Sequence, residues 1–242
     1  MKTLAIVIPC YNEAKRFQTQ RFSNFLTKRD GVSLFYVDDG SSDTTSHIIR
    51  ELKGTLPKQV HLITHLKNKG KAEAVRTGMG VALQNESYMH FAFLDADLST
   101  SLEECYEIAT KVNETKAFVF GSRIKKLDNN IQRKKHRFVI GRVIATFISN
   151  MLKLPIYDSQ CGCKVFRRDW ALIAFKDSFK STWLFDVEIF YRFIRHFGRE
   201  VIQTEIEEVP LKDWVDTKDS KVSLLYGLKV WFDLIKIYRY YK

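Results

Sequence analysis

The sequence predicts an α/β fold with a mainly parallel sheet and helices on both faces. Short apolar runs alternate with segments of helical spacing through the first half of the 242-residue chain, which is typical of βαβ units. Polar clusters also follow four of the apolar runs, where ligands bind in such sheets. The predicted strands cover residues 4–9, 33–37, 60–64, 90–94 and 118–120, and helices are predicted over 44–52, 71–83, 138–154 and 221–241.

Composition places the chain among ordinary globular proteins. Hydrophobic residues make up 45% and charged residues 28% of the chain, which excludes disordered and fibrous classes. We expect one domain over residues 1–242, with reduced thiols, because four cysteines are too few for a disulfide framework. No stretch approaches the roughly 18 apolar residues of a spanning helix. The apolar start meets Pro9 too soon for a signal peptide, so a cytoplasmic protein is expected.

The net charge of +11 favours anionic partners. Residues 123–142 carry eight basic side chains and one acid, Asp128, and they lead into an apolar segment. A solvated loop would explain this run, and so would a surface for phosphate-rich ligands or anionic lipids. Nucleic acid is not expected as a partner, because the chain has neither an RNA-binding signature nor a basic recognition helix.

Asp95 and Asp97 follow the fourth predicted strand and are candidates for a metal site. Two carboxylates one residue apart can reach a single hard cation, and Mg²⁺ or Mn²⁺ takes its remaining ligands from water and substrate phosphates. The alternative is a turn or helix cap before Ser99 and Ser101. The strand that precedes the pair favours the metal site.

Asp38 and Asp39 end the second predicted strand. A carboxylate at this place can bind a ribose hydroxyl or a base edge, as in dinucleotide folds. The residues that follow, 41–43, are expected to cap the helix that starts near Thr44.

Residues 68–72 precede the next helix and combine a glycine with Lys71. Glycine lets the backbone approach a ligand and lysine can meet phosphate, although the P-loop pattern is absent. Two other patterns are not expected to bind metal. His61 and His65 lack the glutamate of a zinc-protease helix and are expected to flank a strand, and the cysteines of 161–163 lack a zinc spacer and a second pair.

In order and spacing, these segments resemble the family-two inverting glycosyltransferases. The matching segments in the first half are IVIPCYNE at 6–13, VDDGSSD at 37–43, NKGK at 68–71 and DAD at 95–97. The second half is similar to the branch that transfers hexoses to dolichyl phosphate, more to its glucosyl than to its mannosyl members, through GSR at 121–123, DSQCGCKVF at 158–166 and WLFDVE at 183–188. The resemblance covers nearly the whole chain and implies a Rossmann-like GT-A fold.

The resemblance also implies roles for the matching residues. The nucleoside would be held by Pro9, Tyr11, Glu13 and Asp39. The donor site would be completed by Lys71 and Asp95, and a Mg²⁺ or Mn²⁺ ion on the diphosphate would be bound by Asp97 together with Asp95. The acceptor phosphate would face Arg123 and Lys164, and Asp186 would lie near the reacting centre. Mannosyl relatives often carry glutamine where this chain has Ser99, so no third protein ligand of the metal is assigned.

The implied partners are a nucleotide sugar, a polyprenyl phosphate and an anionic membrane. UDP-glucose is favoured as the donor over GDP-mannose, and the product would be β-linked. Two amphipathic segments, near 136–154 and 221–241, are expected to hold the protein peripherally on the cytoplasmic face of a membrane. Two alternatives stay open: these segments could pack on the sheet or on a second subunit of an oligomer, and the acceptor could be a soluble or polymeric glycan.

Overall fold

The computed structural model describes residues 3–132, 135–215 and 226–242, and for 135–137 and 226–228 it describes the backbone alone. Its strands are β1 (Thr3–Cys10), β2 (Val32–Asp38), β3 (Val60–Thr64), β4 (Tyr88–Leu94), β5 (Phe118–Ser122), β6 (Asn130–Gln132), β7 (Cys163–Arg167), β8 (Ile206–Pro210) and β9 (Asp213–Val215). Its helices are α1 (Thr19–Leu26), α2 (Thr45–Thr55), α3 (Lys71–Leu83), α4 (Leu102–Thr110), α5 (Lys135–Leu152), α6 (Arg168–Phe175), α7 (Phe185–Phe197), α8 (Arg199–Glu205) and α9 (Tyr226–Tyr241).

A seven-stranded sheet with the order β3-β2-β1-β4-β7-β5-β8 forms the centre of the fold. The strands β1 to β4 are mutually parallel, and β5 is parallel to β8. The strand β7 runs antiparallel between β4 and β5. The prediction of a mainly parallel sheet is therefore confirmed, and β1 to β5 are the five predicted strands.

The helices cover both faces of this sheet, as predicted. Alternate residues of β1 face different cores: Ala5 and Val7 pack with α3, α6 and α7, whereas Ile6 and Ile8 pack with α1, α2 and α4. Because both faces are buried, the strands read as continuous apolar runs. Because the strand interiors are buried, polar groups are favoured at the strand ends.

Two helix starts in the first half follow the sequence expectations. The helix α3 begins at Lys71 and ends at Leu83, as predicted. The helix α2 begins at Thr45, and the Asp43 carboxylate accepts a hydrogen bond from the Thr45 backbone N–H at 3.0 Å. That bond satisfies a backbone donor in the first turn of the helix, so Asp43 takes the expected capping role, whereas Ser41 and Ser42 contact Asn12 instead.

The helices α5 and α9 correspond to the two predicted amphipathic segments. Residues 221–225 of the second segment lie outside the described residues. Each helix turns part of its apolar surface inwards: Ile148 and Leu152 of α5, and Leu234 and Ile237 of α9, are buried in the core. No helix in the described part of the chain is long and apolar enough to cross a membrane.

Candidate active site

The carboxyl ends of β1, β2 and β4 meet at one edge of the sheet. Cys10 at the end of β1 pairs with Asp38 at the end of β2. The loops that follow hold each other, because Asn12 N–H donates to Ser41 Oγ and Ser42 N–H donates to Asn12 Oδ1, both at 2.9 Å. The φ of Asn12 is +51°, in the left-handed region that asparagine tolerates. The predicted polar clusters are thus brought together.

Pro9, Tyr11 and Glu13 lie at the end of β1 and just beyond it. Tyr11 exposes 38% of its surface, so its ring is accessible to a planar ligand. Glu13 is buried, and its carboxylate accepts two hydrogen bonds from the guanidinium of Arg16. Its N–H donates to Thr45 Oγ1 at 2.8 Å. These contacts of Glu13 fix the loop after β1.

The carboxylate of Asp39 ties the end of β2 to the loop before α3. Its Oδ1 accepts from the backbone N–H of Lys69 at 2.9 Å and lies 2.7 Å from Nδ1 of His65, and its Oδ2 accepts from Gly70 N–H at 2.8 Å. Both Asp39 and His65 are buried. Sequence reasoning missed His65, whose one signal was its place after the strand that neighbours β2.

Lys71 and Asp95 form an ion pair with 2.5 Å between Nζ and Oδ1. Burial opposes the charge of Lys71, but the carboxylates of Asp95, Asp186 and Asp97 together raise its pKa. Gly162 packs directly on Asp95, since a Cβ at Gly162 would lie 2.5 Å from Cγ of Asp95. Nothing in the sequence indicates this contact.

Asp97 lies two residues further along the loop after β4 and is half-buried. Its Oδ1 accepts from Ser99 N–H at 3.0 Å. Leu98 has a φ of +52°, which is rare for a bulky residue and is typical of functional sites. The cap of α4 is supplied by Ser101, whose Oγ accepts from Glu104 N–H at 3.1 Å. The turn-or-cap alternative therefore accounts for Ser101 and for one hydrogen bond of Asp97, but it does not explain why Asp95 pairs with Lys71.

Lys164 does not lie where the sequence suggested. Its side chain is fully buried, its Nζ lies 2.7 Å from Asp186 Oδ1, and it donates to the backbone oxygen of Cys161 at 2.6 Å. Burial raises the pKa of Asp186, and the charges of Lys164 and Lys71 offset that effect only in part. A contact between Lys164 and an acceptor phosphate is not supported, because the lysine lies on β7 inside the sheet and not at its surface.

Arg123 follows β5, and its guanidinium is held by Asp158. Nε and Nη2 donate to the two carboxylate oxygens at 2.6 and 2.7 Å, and the Arg123 N–H donates to Oδ2 at 3.0 Å. Burial opposes the charge of the Arg123 guanidinium, but the carboxylate of Asp158 and, more weakly, that of Asp95 outweigh this effect and raise the pKa of Arg123 above its ordinary value. The side chain retains 15% exposure. Arg123 is thus a fixed cation at the same edge of the sheet.

A loop before α7 closes the site from the second half of the chain. Thr182 O accepts from Ala72 N–H at 3.1 Å, and the Trp183 ring lies 5.8 Å from Lys71 Nζ. The buried carboxylate of Glu188 accepts from the backbone N–H groups of Lys180 and Ser181 at 2.8 to 3.0 Å. The loop that leads to Asp186 is therefore anchored on α7.

The carboxylates fit a cation that shares its ligands with a substrate. No group of three or more His, Cys, Asp or Glu that could hold a metal occurs in the described ranges. Asp95 keeps 38% of its side chain exposed, and Asp97 is half-buried. Mg²⁺ and Mn²⁺ accept one or two carboxylates and complete their shell with water and phosphate oxygens. Asp95 and Asp97 therefore do not form a site in which protein ligands alone surround the ion.

A mainly parallel sheet covered by helices on both faces is the architecture of a GT-A glycosyltransferase. The family model described as Glycosyl transferase family 2 matches residues 5–172. The chain therefore belongs to glycosyltransferase family 2, as its motifs suggested.

Similar proteins are known at both the sequence and the structure level. A dolichyl-phosphate beta-glucosyltransferase of Trichomonas vaginalis is 28% identical over 98% of this chain and 71% of its own length. The human dolichyl-phosphate beta-glucosyltransferase is 28% identical over 91% of this chain and 70% of its own length. The glucosyl-3-phosphoglycerate synthase of Mycobacterium tuberculosis, crystallised with Mn²⁺, UDP and phosphoglyceric acid, superimposes with a TM-score of 0.71 at 14% identity, over 98% of this chain and 78% of that one. At that identity the last comparison shows the fold alone.

Proposed function

We propose that this chain is an inverting hexosyltransferase that moves glucose from UDP-glucose to a polyprenyl phosphate at a membrane surface, with Mg²⁺ or Mn²⁺ as cofactor. Mannose from GDP-mannose is the second donor to be tested. One observation carries the proposal: Nζ of Lys71 lies 2.5 Å from Oδ1 of Asp95 at the carboxyl edge of the sheet, where the charges of Asp97 and Asp186 also raise the pKa of Lys71. This arrangement occurs in a chain whose relatives along nearly its whole length are named dolichyl-phosphate beta-glucosyltransferases.

The donor would lie across the ends of β1, β2 and β4. The exposed ring of Tyr11 offers a stacking surface for the base, and the Asp39 carboxylate offers an acceptor for a base or ribose donor. Asp95 and Asp97 would hold the divalent ion, which would supply charge neutralisation on the departing nucleoside diphosphate. Lys71 adds a cation beside them that can meet a phosphate oxygen.

The acceptor phosphate needs positioning more than activation. A phosphate monoester is already anionic near neutral pH, so its oxygen can attack without a strong general base. Arg123 offers a cation that is fixed in place by Asp158 before the substrate arrives, which lowers the cost of organising the transition state. Asp186 is only 5% exposed and is paired with Lys164, but its charge also acts on Lys71, and on that ground we place it near the reacting sugar.

A membrane surface would be met by the outward faces of α5 and α9. Phe147 and Trp231 touch edge to face at 5.1 Å, so the two faces are adjacent. The exposed apolar residues of this surface, which we call the α5–α9 face, are Phe138, Val139, Ile140, Val143, Phe147, Trp231, Phe232, Ile235 and Tyr238. Lys229, Lys236 and Arg239 are exposed on the same helix as the last four. Apolar and cationic residues together suit the interface of an anionic bilayer.

Contacts of Arg142, Tyr157 and Asp158 link helix α5 to Arg123, the residue proposed to bind the acceptor phosphate. Arg142 of α5 donates to Tyr157 O at 2.6 Å and stacks over the Tyr157 ring at 3.5 Å. The next residue is Asp158, which binds Arg123. A polyprenyl chain that enters along α5 would thus bring its phosphate towards Arg123.

The proposed reaction is tested with a panel of donors and acceptors. The purified chain is incubated with labelled UDP-glucose or GDP-mannose, a polyprenyl phosphate and Mg²⁺ or Mn²⁺, and the product is extracted into organic solvent. We expect label in the organic phase with one of the two donors. Chelation of the metal should abolish it. Label only in water-soluble products would contradict the lipid acceptor and would favour a soluble or polymeric one.

Gly162→Ala is expected to reduce the rate of sugar transfer about 100-fold, because the new methyl group must push the Asp95 carboxylate away from Lys71. Displacement by about 1 Å at a reacting centre can have an effect of this size. The free energy of unfolding should change little, since Asp95 can rotate into solvent. Gly80→Ala is the matched control, as a Cβ at Gly80 of α3 meets nothing within 4 Å. Normal transfer by Gly162→Ala would show that the Asp95 position does not matter.

Phe232→Glu is expected to weaken binding to anionic vesicles about tenfold, because Phe232 is 75% exposed on the α5–α9 face and burying such a side chain contributes about 1.5–3 kcal/mol. Sedimentation with vesicles of varied anionic content measures this, and higher salt should weaken binding of the unmodified chain. Met89→Glu is the control, since Met89 is 47% exposed on β4. Equal losses in the two variants, or binding indifferent to lipid charge, would count against the α5–α9 face as the membrane contact.

A further inference from the structure

His65 lies between two side chains at the donor edge of the sheet. It directly follows β3, and its N–H donates to Asp38 O at 2.9 Å, which continues the pairing with β2. Its ring is buried, with Nδ1 2.7 Å from Asp39 Oδ1 and Nε2 3.1 Å from Thr77 Oγ1. The ring is therefore held on both sides.

The hydrogen-bond partners of the His65 ring indicate which of its two nitrogens carries the hydrogen. An ionised carboxylate only accepts hydrogen bonds, so Nδ1 must donate to Asp39. The Thr77 hydroxyl can donate to Nε2 of a neutral ring, since a hydroxyl both donates and accepts. The imidazole thus acts as a fixed donor to Asp39.

The Asp39 carboxylate also holds the backbone of Gly70, the residue before Lys71. Its two oxygens also accept from the backbone N–H groups of Lys69 and Gly70, and Gly70 has a φ of +91° immediately before α3 begins at Lys71. Three donors from the described residues reach this carboxylate, so about one of its four acceptor positions is left for a ligand. The direction of that position depends on how the other three are held.

We propose that His65 is a positioning residue for the donor nucleotide. Its Nδ1–H sets the orientation of the Asp39 carboxylate, and the same carboxylate fixes the main chain that leads into Lys71. The inference rests on the proposed function, in which Asp39 meets the nucleoside and Lys71 meets the diphosphate. Loss of the Nδ1 donor should therefore weaken nucleotide binding and raise the KM for the sugar donor, while the KM for the acceptor stays unchanged.

Two conservative variants separate this role from simple packing. The amide of His65→Asn reaches the place of Nδ1 and can still donate to Asp39, whereas the amide of His65→Gln reaches the place of Nε2. The binding of UDP and of GDP to the full chain is measured by calorimetry with Mg²⁺ present. His65→Gln should bind the preferred nucleotide tenfold or more weakly, as expected for loss of a charge-assisted hydrogen bond, and His65→Asn should stay within about threefold of the unmodified chain.

His61→Gln is the matched control, because His61 lies on β3 with its ring stacked on Phe35 at 4.3 Å. It should bind nucleotide normally. Thr77→Val, which removes the hydroxyl on the other side of the ring, should weaken binding to an intermediate degree and decides the matter if His65→Gln does not fold. Normal affinity in His65→Gln or Thr77→Val, or equal losses in His65→Asn and His65→Gln, would overturn the role of His65 alone. An unmodified chain that binds neither nucleotide would overturn the proposed function, and the inference with it.

Discussion

Replacing Asp97 with alanine is expected to reduce sugar transfer by about 1000-fold or more while the protein stays folded. The carboxylate would be lost from a site that must neutralise the charge developing on a nucleoside diphosphate, a contribution of several kcal/mol, and about 4 kcal/mol corresponds to a factor of 1000 in rate. Asp97 is half-buried in the loop after β4 and is not part of the core. Its Oδ1 accepts one hydrogen bond from Ser99 N–H, so we expect a loss of stability of only about 0.5–1.5 kcal/mol.

Asp97→Asn is the matched variant for this prediction. Its side-chain oxygen can still accept from Ser99 N–H, but it carries no charge and binds Mg²⁺ or Mn²⁺ poorly. Transfer rates are measured over a range of metal concentrations, together with urea unfolding. Both variants should lose transfer to a similar extent, and only the alanine variant should lose stability. A rate near that of the unmodified chain at high metal concentration would disprove the assignment of Asp97 to the metal.

The grouping of the proposed donor residues could be predicted because they stand at the ends of strands. The runs that became β1, β2 and β4 are mostly apolar, Asp39 and Asp95 directly follow β2 and β4, and Asp97 comes two residues later. In a parallel arrangement, those ends must meet at one edge. The start of α3 at Lys71 followed from a glycine before an apolar helical pattern. Local pattern and overall topology agree here, so the sequence was enough to predict that these residues lie together, while their roles stay predictions.

The strand β7 could not be predicted in the same way. Its sequence, CKVFR at 163–167, is short and begins with a cysteine and a lysine. It enters the sheet antiparallel, between β4 and β5, which the βαβ pattern does not anticipate. A lysine in such a segment suggests exposure or a ligand, since lysine is almost never fully buried without a partner. Its partner, Asp186, lies 22 positions away on α7, so no local sequence pattern indicates that the two side chains form a pair.

The amphipathic segments were predicted as helices, but their faces were assigned only in part. The spacing in α5 places Ile140, Ile144, Phe147 and Ile148 on one stripe, whereas the structure buries Ile148 and leaves Ile140 and Phe147 exposed. A helix that carries apolar residues on more than one side gives no single direction for its core face. The basic residues Arg133 and Lys134 lie outside the described residues, as do 221–225.

Replacing one partner of the buried Lys164–Asp186 ion pair is expected to have a large effect on the stability of the protein. Lys164 has no exposed surface and also lies 5.3 Å from the centre of the Phe93 ring. Breaking such a pair from one side leaves an unpaired charge inside the protein, which is typically destabilising by about 3–5 kcal/mol. Replacing both partners with apolar residues of similar volume is often neutral, because the two desolvation penalties disappear together.

Lys164→Met is therefore expected to lower the free energy of unfolding by about 3–5 kcal/mol at pH 8, and by less at pH 5. Without Lys164, burial raises the pKa of Asp186 further, so the folded variant keeps a proton that the unfolded chain releases above its ordinary pKa of about 3.9. Stability of the variant must then fall as the pH rises towards the raised pKa. Urea unfolding between pH 5 and pH 8 measures this, and Lys164→Met combined with Asp186→Leu should recover most of the loss and flatten the pH dependence. A loss equal at every pH, or one that persists in the double variant, would show that Lys164 stabilises the sheet by packing and not by its charge.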